Sequence, residues 1–218
     1  MAGDRSGIIF DLDGTLVDTI DDIAAACNRG LAAFGFPARA AGEYRTFVGR
    51  GVEVLVRLAL PASFRDEARF PGILERVRRE YAAGAVVKSR PYPGIPALLD
   101  ALAARAVPAA VLSNKPHELA VETVRRLFGK RPFAAVEGER PGLPPKPDPG
   151  SALAIAGRFG LPPGDVLLVG DTEIDVETAL RAGMKAVAVA WGYRSREDLF
   201  RLSPFMLVDK PEEILDLL

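Results

Sequence analysis

Two aspartates with one residue between them, Asp11 and Asp13, end an apolar run and are followed by Gly14 and Thr15. Side chains alternate along an extended chain, so both carboxylates fall on one side with Leu12 between them. Like charges in a poorly solvated place repel, and such a pair usually has a cation, a proton or a reaction to justify it. Gly14 lets the backbone turn sharply, and Thr15 adds a hydroxyl. A strand followed by an Asp-Gly turn and a Thr helix cap would carry the same letters without any chemistry. Residues elsewhere weigh against that plainer reading. Asp171 and Asp175, four apart at a helix start, share a face and extend the cluster to as many as four acids. Lys146 is one ammonium against them, so a hard divalent cation is expected. An oxygen-only ligand set, with no His or Cys cluster, suits magnesium better than zinc. Thr15, Ser113, Asn114, Lys146 and helix-start N–H groups are donors for an anion sharing that metal, which fits a phosphoryl group. An aspartate ionised at neutral pH could attack phosphorus, and its neighbour two residues on could hold a proton for the leaving oxygen.

The elements that must position these groups follow from periodicity. After Leu16 the pattern becomes helical: Ile20, Ile23, Ala24, Cys27, Leu31 and Phe34 recur at helix spacing, and Gly35 ends the run. Further helical stretches are expected at Tyr44 to Val48, Val52 to Leu60, and through Ile73, Leu74, Val77 and Tyr81, with no strand from about residue 17 to 88. Ser89 to Gly94 reads as a Pro/Gly-rich return linker. Beyond it strands and helices alternate. Val107 to Leu112 runs into Ser113-Asn114-Lys115-Pro116, Val166 to Val169 runs into Gly170-Asp171-Thr172, and strands are also expected at Phe133 to Val136, Ala186 to Ala190 and Met206 to Val208. Apolar strands alternating with helices imply an α/β fold: a Rossmann-like parallel sheet with helices on both faces. The core domain is then residues 1–16 and 89–218, with residues 17–88 a small inserted helical cap. In open sheets of this kind ligands bind beyond the carboxyl ends of strands, where Asp11, Asp13, Ser113, Asn114 and Asp171 all stand.

Composition excludes several classes. The chain has 218 residues, 49% of them hydrophobic, and 28 basic against 29 acidic side chains leave a net charge of -1. No bulk field draws it to nucleic acid or to an anionic membrane. No apolar stretch approaches the roughly 20 residues that span a bilayer, and the N-terminus lacks a secretory pattern. The single Cys27 has no partner for a disulfide and is expected in the core. A cytoplasmic protein acting on a small molecule is the expectation, with the oligomeric state left open.

In order along the chain, Asp11-Leu12-Asp13-Gly14-Thr15, Leu112-Ser113-Asn114-Lys115, Lys146-Pro147 and Gly170-Asp171-Thr172 with Asp175 resemble the four motifs of the haloacid-dehalogenase-like phosphohydrolases. The resemblance covers nearly the whole chain, including the position of the helical cap. It implies that Asp11 is the nucleophile, forming an aspartyl-phosphate, and that Asp13 is the acid and later the base. It implies that Ser113 and Lys146 hold phosphoryl oxygens. Magnesium would be held by Asp11, the backbone carbonyl of Asp13 and Asp171, with Asp175 supporting that shell. The family's dehalogenases and phosphonatases lack an acid at the second aspartate, so Asp13 points to phosphate esters. Phe47-Val48-Gly49-Arg50-Gly51, Tyr92-Pro93-Gly94, Ser113-Asn114-Lys115-Pro116 and Trp191-Gly192-Tyr193-Arg194 resemble the phosphoglycolate phosphatase branch. The stretch Gly142-Leu143-Pro144-Pro145 before Lys146 departs from the family pattern.

The substrate expected is a small phosphate monoester, 2-phosphoglycolate first. The alternatives are a related enzyme acting on sugar phosphates or pyrophosphate, a mutase, or a phosphate-binding protein without turnover. Arg50, between two glycines, is a candidate for the non-phosphate end of the substrate, with Arg45 as a second. His117 is a candidate for substrate contact or helix capping, and Trp191 and Tyr193 for packing.

Overall fold

The computed structural model describes residues 6–63, 66–84, 86–129, 131 and 133–218. The first five residues of the expected core domain therefore lie outside the described residues. Six parallel strands form the main sheet: β1 (Gly7–Phe10), β4 (Ala109–Pro116), β5 (Ala135–Glu139), β6 (Val166–Gly170), β7 (Lys185–Val189) and β8 (Met206–Val208). Their order is β5-β4-β1-β6-β7-β8, so β1 sits at the point where the chain's winding reverses. All four residues of β1 are buried, as are all five of β6, the pattern of strands covered on both faces.

Alternation along β1 divides the core. Ile8 and Phe10 face one layer, with Leu98, Leu99 and Leu102 of α5 (Ile95–Ala104) and Val124 and Phe128 of α6 (His117–Phe128). Ile9 faces the other, with Ile155 of α7 (Gly150–Phe159), Val176 and Ala179 of α8 (Glu173–Ala182) and Leu199 of α9 (Arg196–Arg201). Each fully buried Ile, Leu or Phe contributes about 1.5–3 kcal/mol, enough that β1 could not slip by one residue without exchanging the two layers. Gly160 and Gly183, both left-handed, end α7 and α8 where the sequence places stops.

A third apolar cluster belongs to the stretch between β1 and α5. Here α1 (Ile20–Ala32), the short α2 (Ala41–Tyr44), α3 (Gly51–Ala59) and α4 (Phe70–Ala83) pack around Leu31, Tyr44, Val56 and Ile73. Gly30 lets α1 and α4 approach closely, since a Cβ there would lie 2.8 Å from the Val77 Cα. The stretch is not purely helical. β2 (Val17–Asp18) pairs antiparallel with β3 (Arg90–Pro91), joining the way into the helical unit to the way out. Two-residue strands leave no periodicity to read, which is why the linker showed only its prolines. The Tyr44 to Val48 helix is likewise displaced, with regular helix ending at Tyr44 and turns following.

Asp22 ties the same junction. Its carboxylate accepts N–H bonds from Val87 (2.9 Å), Lys88 (3.0 Å) and Ser89 (2.8 Å), and the Ser89 hydroxyl at 2.6 Å. Burial alone would raise its pKa, but these donors from Ser89, Lys88 and Val87 outweigh it and hold the carboxyl below its usual range. A depressed carboxyl stabilises the fold above its unfolded pKa, and that contribution disappears as pH falls through the folded one. Asp22→Asn should therefore cost about 1.5–3 kcal/mol at neutral pH. The gap from wild type should narrow below about pH 4. Thermal melts of both proteins across pH check this, and a gap independent of pH would refute it.

Candidate active site

The site begins where β1 stops. Asp11 continues the strand into the gap between β4 and β6, and its N–H bonds to the Val169 carbonyl at 2.8 Å. Its carboxylate is buried beside Lys146, whose Nζ is 2.9 Å from Asp11 Oδ1 and 2.6 Å from Asp175 Oδ1. The contact with Asp11 is an ion pair lacking hydrogen-bond angles, so that buried oxygen has no hydrogen-bond donor. Burial, partly countered by Lys146 and aided by the charges of Asp175 and Asp13, pushes the Asp11 carboxyl up to about 7. Burial should depress the Lys146 ammonium, but Asp11 and Asp175 more than offset it and hold the amine cationic.

Asp171 follows β6 directly. It lies before the helix rather than on its face: Thr172 is the N-cap of α8, and Asp175 turns back to accept the Thr172 N–H (3.1 Å) and hydroxyl (2.7 Å). Asp171 accepts the Thr15 hydroxyl at 2.9 Å and the Tyr193 N–H at 2.8 Å. Burial, then repulsion from Asp11 and Asp175, raises its pKa well above normal despite those two bonds. Glycines make the room. A Cβ on Gly14, which has φ +93°, or on Gly192 would strike the Asp171 side chain, and one on Gly170 would strike Asp175.

Asp13 is held separately. Its Oδ1 accepts the Thr19 hydroxyl at 2.7 Å and Lys115 Nζ at 2.8 Å. The Lys115 ammonium also bonds the Tyr81 hydroxyl on α4. Thr19 in turn meets the Tyr193 hydroxyl through its N–H and its own hydroxyl, both at 3.0 Å. Burial keeps both phenols neutral far above their usual range.

Above these groups lies a cavity between the helical unit and the sheet. Asp11, Asp13, Ser113, Asn114, Lys115 and Lys146 form its floor, while Ile23, Val48, Val52, Leu55, Val77 and Tyr81 form its roof. Asn114 is a clamp: its amide donates to the Gly49 and Lys146 carbonyls and accepts the Lys146 N–H, each at 2.9 Å. The Thr15 hydroxyl is spent on Asp171 and does not line the cavity. Nor does Arg50, although Gly49 and Gly51 on either side do. Its guanidinium points outward, 3.6 Å from Glu173, and is half exposed. His117 bonds Arg140 and the Gly138 N–H, away from the floor. Trp191 donates to the Thr15 carbonyl at 3.0 Å, and the Tyr193 hydroxyl and N–H support Thr19 and Asp171, more than packing alone. Sequence reasoning passed over Thr19, Tyr81 and Lys115. Lys115 carried a signal, since alternation from Ser113 puts it on the same side of β4.

A divalent cation fits the floor. Asp11, Asp171 and Asp175 each offer a carboxylate oxygen within 4.8 Å of the others, and one ammonium cannot neutralise three buried acids. The Asp11 oxygen met by the Lys146 ammonium, and Asp171 seated against Gly14 and Gly192, leave carboxylates close enough together to suit a hard, oxygen-seeking ion. No helix among the described residues is long and apolar enough to cross a membrane.

Known proteins resemble this chain in sequence and fold. The profile of the haloacid dehalogenase-like hydrolases matches residues 8–189. A phosphoglycolate phosphatase of Aquifex aeolicus is 36% identical over 186 residues, covering 85% of each chain. Phosphoglycolate phosphatase 1 of Pseudomonas aeruginosa is 32% identical over 95% of this chain and 78% of its own. The crystal structure of a predicted phosphoglycolate phosphatase from Haemophilus somnus superposes with a TM-score of 0.90 at 28% identity, covering 100% and 99% of the two chains. With its fold, its acidic cluster and its sequence all in agreement, the chain belongs to the haloacid dehalogenase-like hydrolases.

Proposed function

We propose that the protein is a magnesium-dependent phosphatase of the cytoplasm that hydrolyses a small phosphate monoester, 2-phosphoglycolate first, through a phosphorylated Asp11. The observation that carries this reading is the Asp11 carboxylate itself: it lies on the cavity floor with Ser113, and the Lys146 ammonium is the one partner of its buried oxygen among the described residues. A pure binding site has no use for a nucleophile placed next to a second acid. The relatives named phosphoglycolate phosphatase support the choice of substrate.

In this reading Asp11 attacks phosphorus, and a carboxyl–phosphate bond replaces the ester bond. Asp13, anchored through Oδ1 by Thr19 and Lys115, gives a proton from its other oxygen to the departing alkoxide. It then takes one from the water that hydrolyses the aspartyl-phosphate. Lys146 and the Ser113 hydroxyl bind the phosphoryl oxygens. Asn114 fixes the Lys146 backbone, and Thr15 fixes Asp171. Asp11, Asp171 and the Asp13 carbonyl would hold magnesium, with Asp175 in support. The ion would supply positive charge that keeps Asp11 ionised and neutralises the phosphoryl group. Residues 17–88 act as a cap over a core formed by residues 1–16 and 89–218, and their apolar roof keeps water from the floor.

Phosphate release from phosphoglycolate, phosphorylated hexoses, pyrophosphate and nucleotides tests the assignment. Phosphoglycolate should lead, and chelator should abolish turnover. Asp11→Asn should lower kcat by about 10⁴-fold or more and Asp13→Asn by about 10²–10⁴-fold. A preference for another ester would discard the substrate and keep the mechanism. Activity persisting in Asp11→Asn would discard the mechanism.

The cradle around Asp171 generates a second test. Magnesium should raise the melting temperature of the wild type, because it relieves repulsion present only in the folded state. Gly192→Ala, whose methyl would strike Asp171, should weaken that shift by about tenfold in apparent affinity, as disturbed ligand support does elsewhere. An unchanged magnesium titration would show that Asp171 has slack and is not positioned by this contact.

A further inference from the structure

We propose that Lys115, with the Tyr81 hydroxyl facing it, is a specificity-determining pair that receives a second anionic group of the substrate, a carboxylate a short distance from the phosphate ester oxygen. The inference rests on the phosphatase reading above and deepens it.

The reasoning starts from unused donors. The Lys115 side chain is 0% exposed, and its ammonium has three N–H donors. Asp13 and the Tyr81 hydroxyl take two of them. Tyr81 accepts in its bond with Lys115 and keeps its own proton to give, and burial ensures that the phenol stays neutral. Lys115 from the floor and Tyr81 from the roof both line one cavity, and each keeps a donor to spare. Buried donors left without acceptors are costly, and a ligand that satisfies them is favoured.

Charge around the cavity points to the same place. Among the described residues, Lys115 and Lys146 are the cations that line it. Lys146 belongs to the phosphoryl end, between Asp11 and Asp175. The arginines nearby are turned away: Arg50 and Arg194 both meet Glu173, and Arg45 lies 6.0 Å over the ring of Tyr193. The start of α3 is no alternative, because the Glu139 carboxylate lies against Gly51 there. The rest of the roof is apolar, and an anion placed against it without a partner is strongly disfavoured. A carboxylate on the substrate thus has one suitable destination. Reach limits its length, since Lys115 bonds Asp13, two residues from the nucleophile. An anion there must belong to a small molecule.

The test compares 2-phosphoglycolate with ethyl phosphate, which has a methyl where the carboxylate stands, using the full-length protein with magnesium. Wild type should favour the acid by about 100-fold in kcat/KM. Lys115→Met should lose most of that preference in the ratio of kcat/KM values, on top of a fall common to both esters because Asp13 loses one of its two anchors. Lys115→Arg should keep part of the preference, and Tyr81→Phe should lose a smaller share. The inert 3-phosphonopropionate should inhibit wild type far better than Lys115→Met, with propylphosphonate indifferent to the change. A misfolded fraction lowers both rates alike and leaves their ratio intact, so the ratio is the readout. A Lys115→Met ratio equal to the wild-type ratio, whatever the common fall in both rates, would overturn the pair's role and leave the proposed substrate standing. A wild type that hydrolyses phosphate esters without preferring the acid would overturn both the substrate and the pair. No hydrolysis at all would overturn the phosphatase reading as well.

Discussion

Three carboxylates buried at the winding reversal of a parallel sheet, Asp11, Asp171 and Asp175, are the constraint on which the rest of the structure depends. Each loses hydration, the charge of Asp175 helps push the Asp11 and Asp171 carboxyls up, and Lys146 is the single ammonium placed among them. Left alone, such a group would protonate or expel itself from the fold. It persists because almost every polar partner nearby is already a donor to it: Thr15 and the Tyr193 backbone for Asp171, and Thr172 twice for Asp175. Asp11 has less support: the Lys146 ammonium is the one partner of its buried oxygen among the described residues. The residue with the least support is the one proposed above to react.

The fold explains how so unfavourable a group can be assembled. Parallel strands with apolar side chains on both faces need no polar support within the sheet, so polar residues can be concentrated beyond its ends. β1 is flanked by β4 and β6, which deliver Ser113, Asn114 and Lys115 on one side and Asp171 on the other. Glycine does the remaining work at two points. Gly14 turns the chain at a φ that other residues rarely adopt and leaves space for Asp171, and Gly192 clears the same carboxylate from the opposite side.

What could be read in the sequence follows from the range of the interactions involved. Strand ends, Asp11, Asp13, Asp171, Ser113 and Asn114 were legible because each sits at a boundary that periodicity marks locally, whereas Asp175 was read from its spacing to Asp171 and Lys146 from a proline-rich loop. The helical stretch from residue 17 to 88 was legible from its spacing, but the β2–β3 pairing was not, because a two-residue ladder is made entirely by distant partners. Helix α9 was also missed, being six residues with four charged side chains and one buried leucine. Arg50 shows the opposite failure. Its flanking glycines do line the cavity, as expected of a loop near substrate, but the arginine follows Glu173 outward, and no local pattern records the direction of a side chain. Lys115 was obscured by its motif. It was counted as part of a family signature rather than as a charge needing a partner.

The division of labour between floor and roof has a consequence for selectivity. The floor carries essentially all of the charge, and the groups there are tied to one another too tightly to adapt to different substrates. The roof is apolar except for Tyr81, so it can reject by size and by desolvation but recognises few groups directly. A site built this way gains little from long or many-hydroxyl substrates, whose polar groups would meet apolar side chains without partners. It gains most from a short molecule with charge at both ends. Tyr193 and Leu119 pack into the roof's apolar cluster, and polar contacts seat it as well: Asn114 to the Gly49 carbonyl, Arg194 to the Arg45 and Val48 carbonyls, Thr19 to Tyr193, and Lys115 to Tyr81. Of these, Lys115 to Tyr81 lies within the cavity and holds donors still unused. A ligand that engages that pair binds floor and roof at once, so recognition of its second charge and closure over its first become the same event.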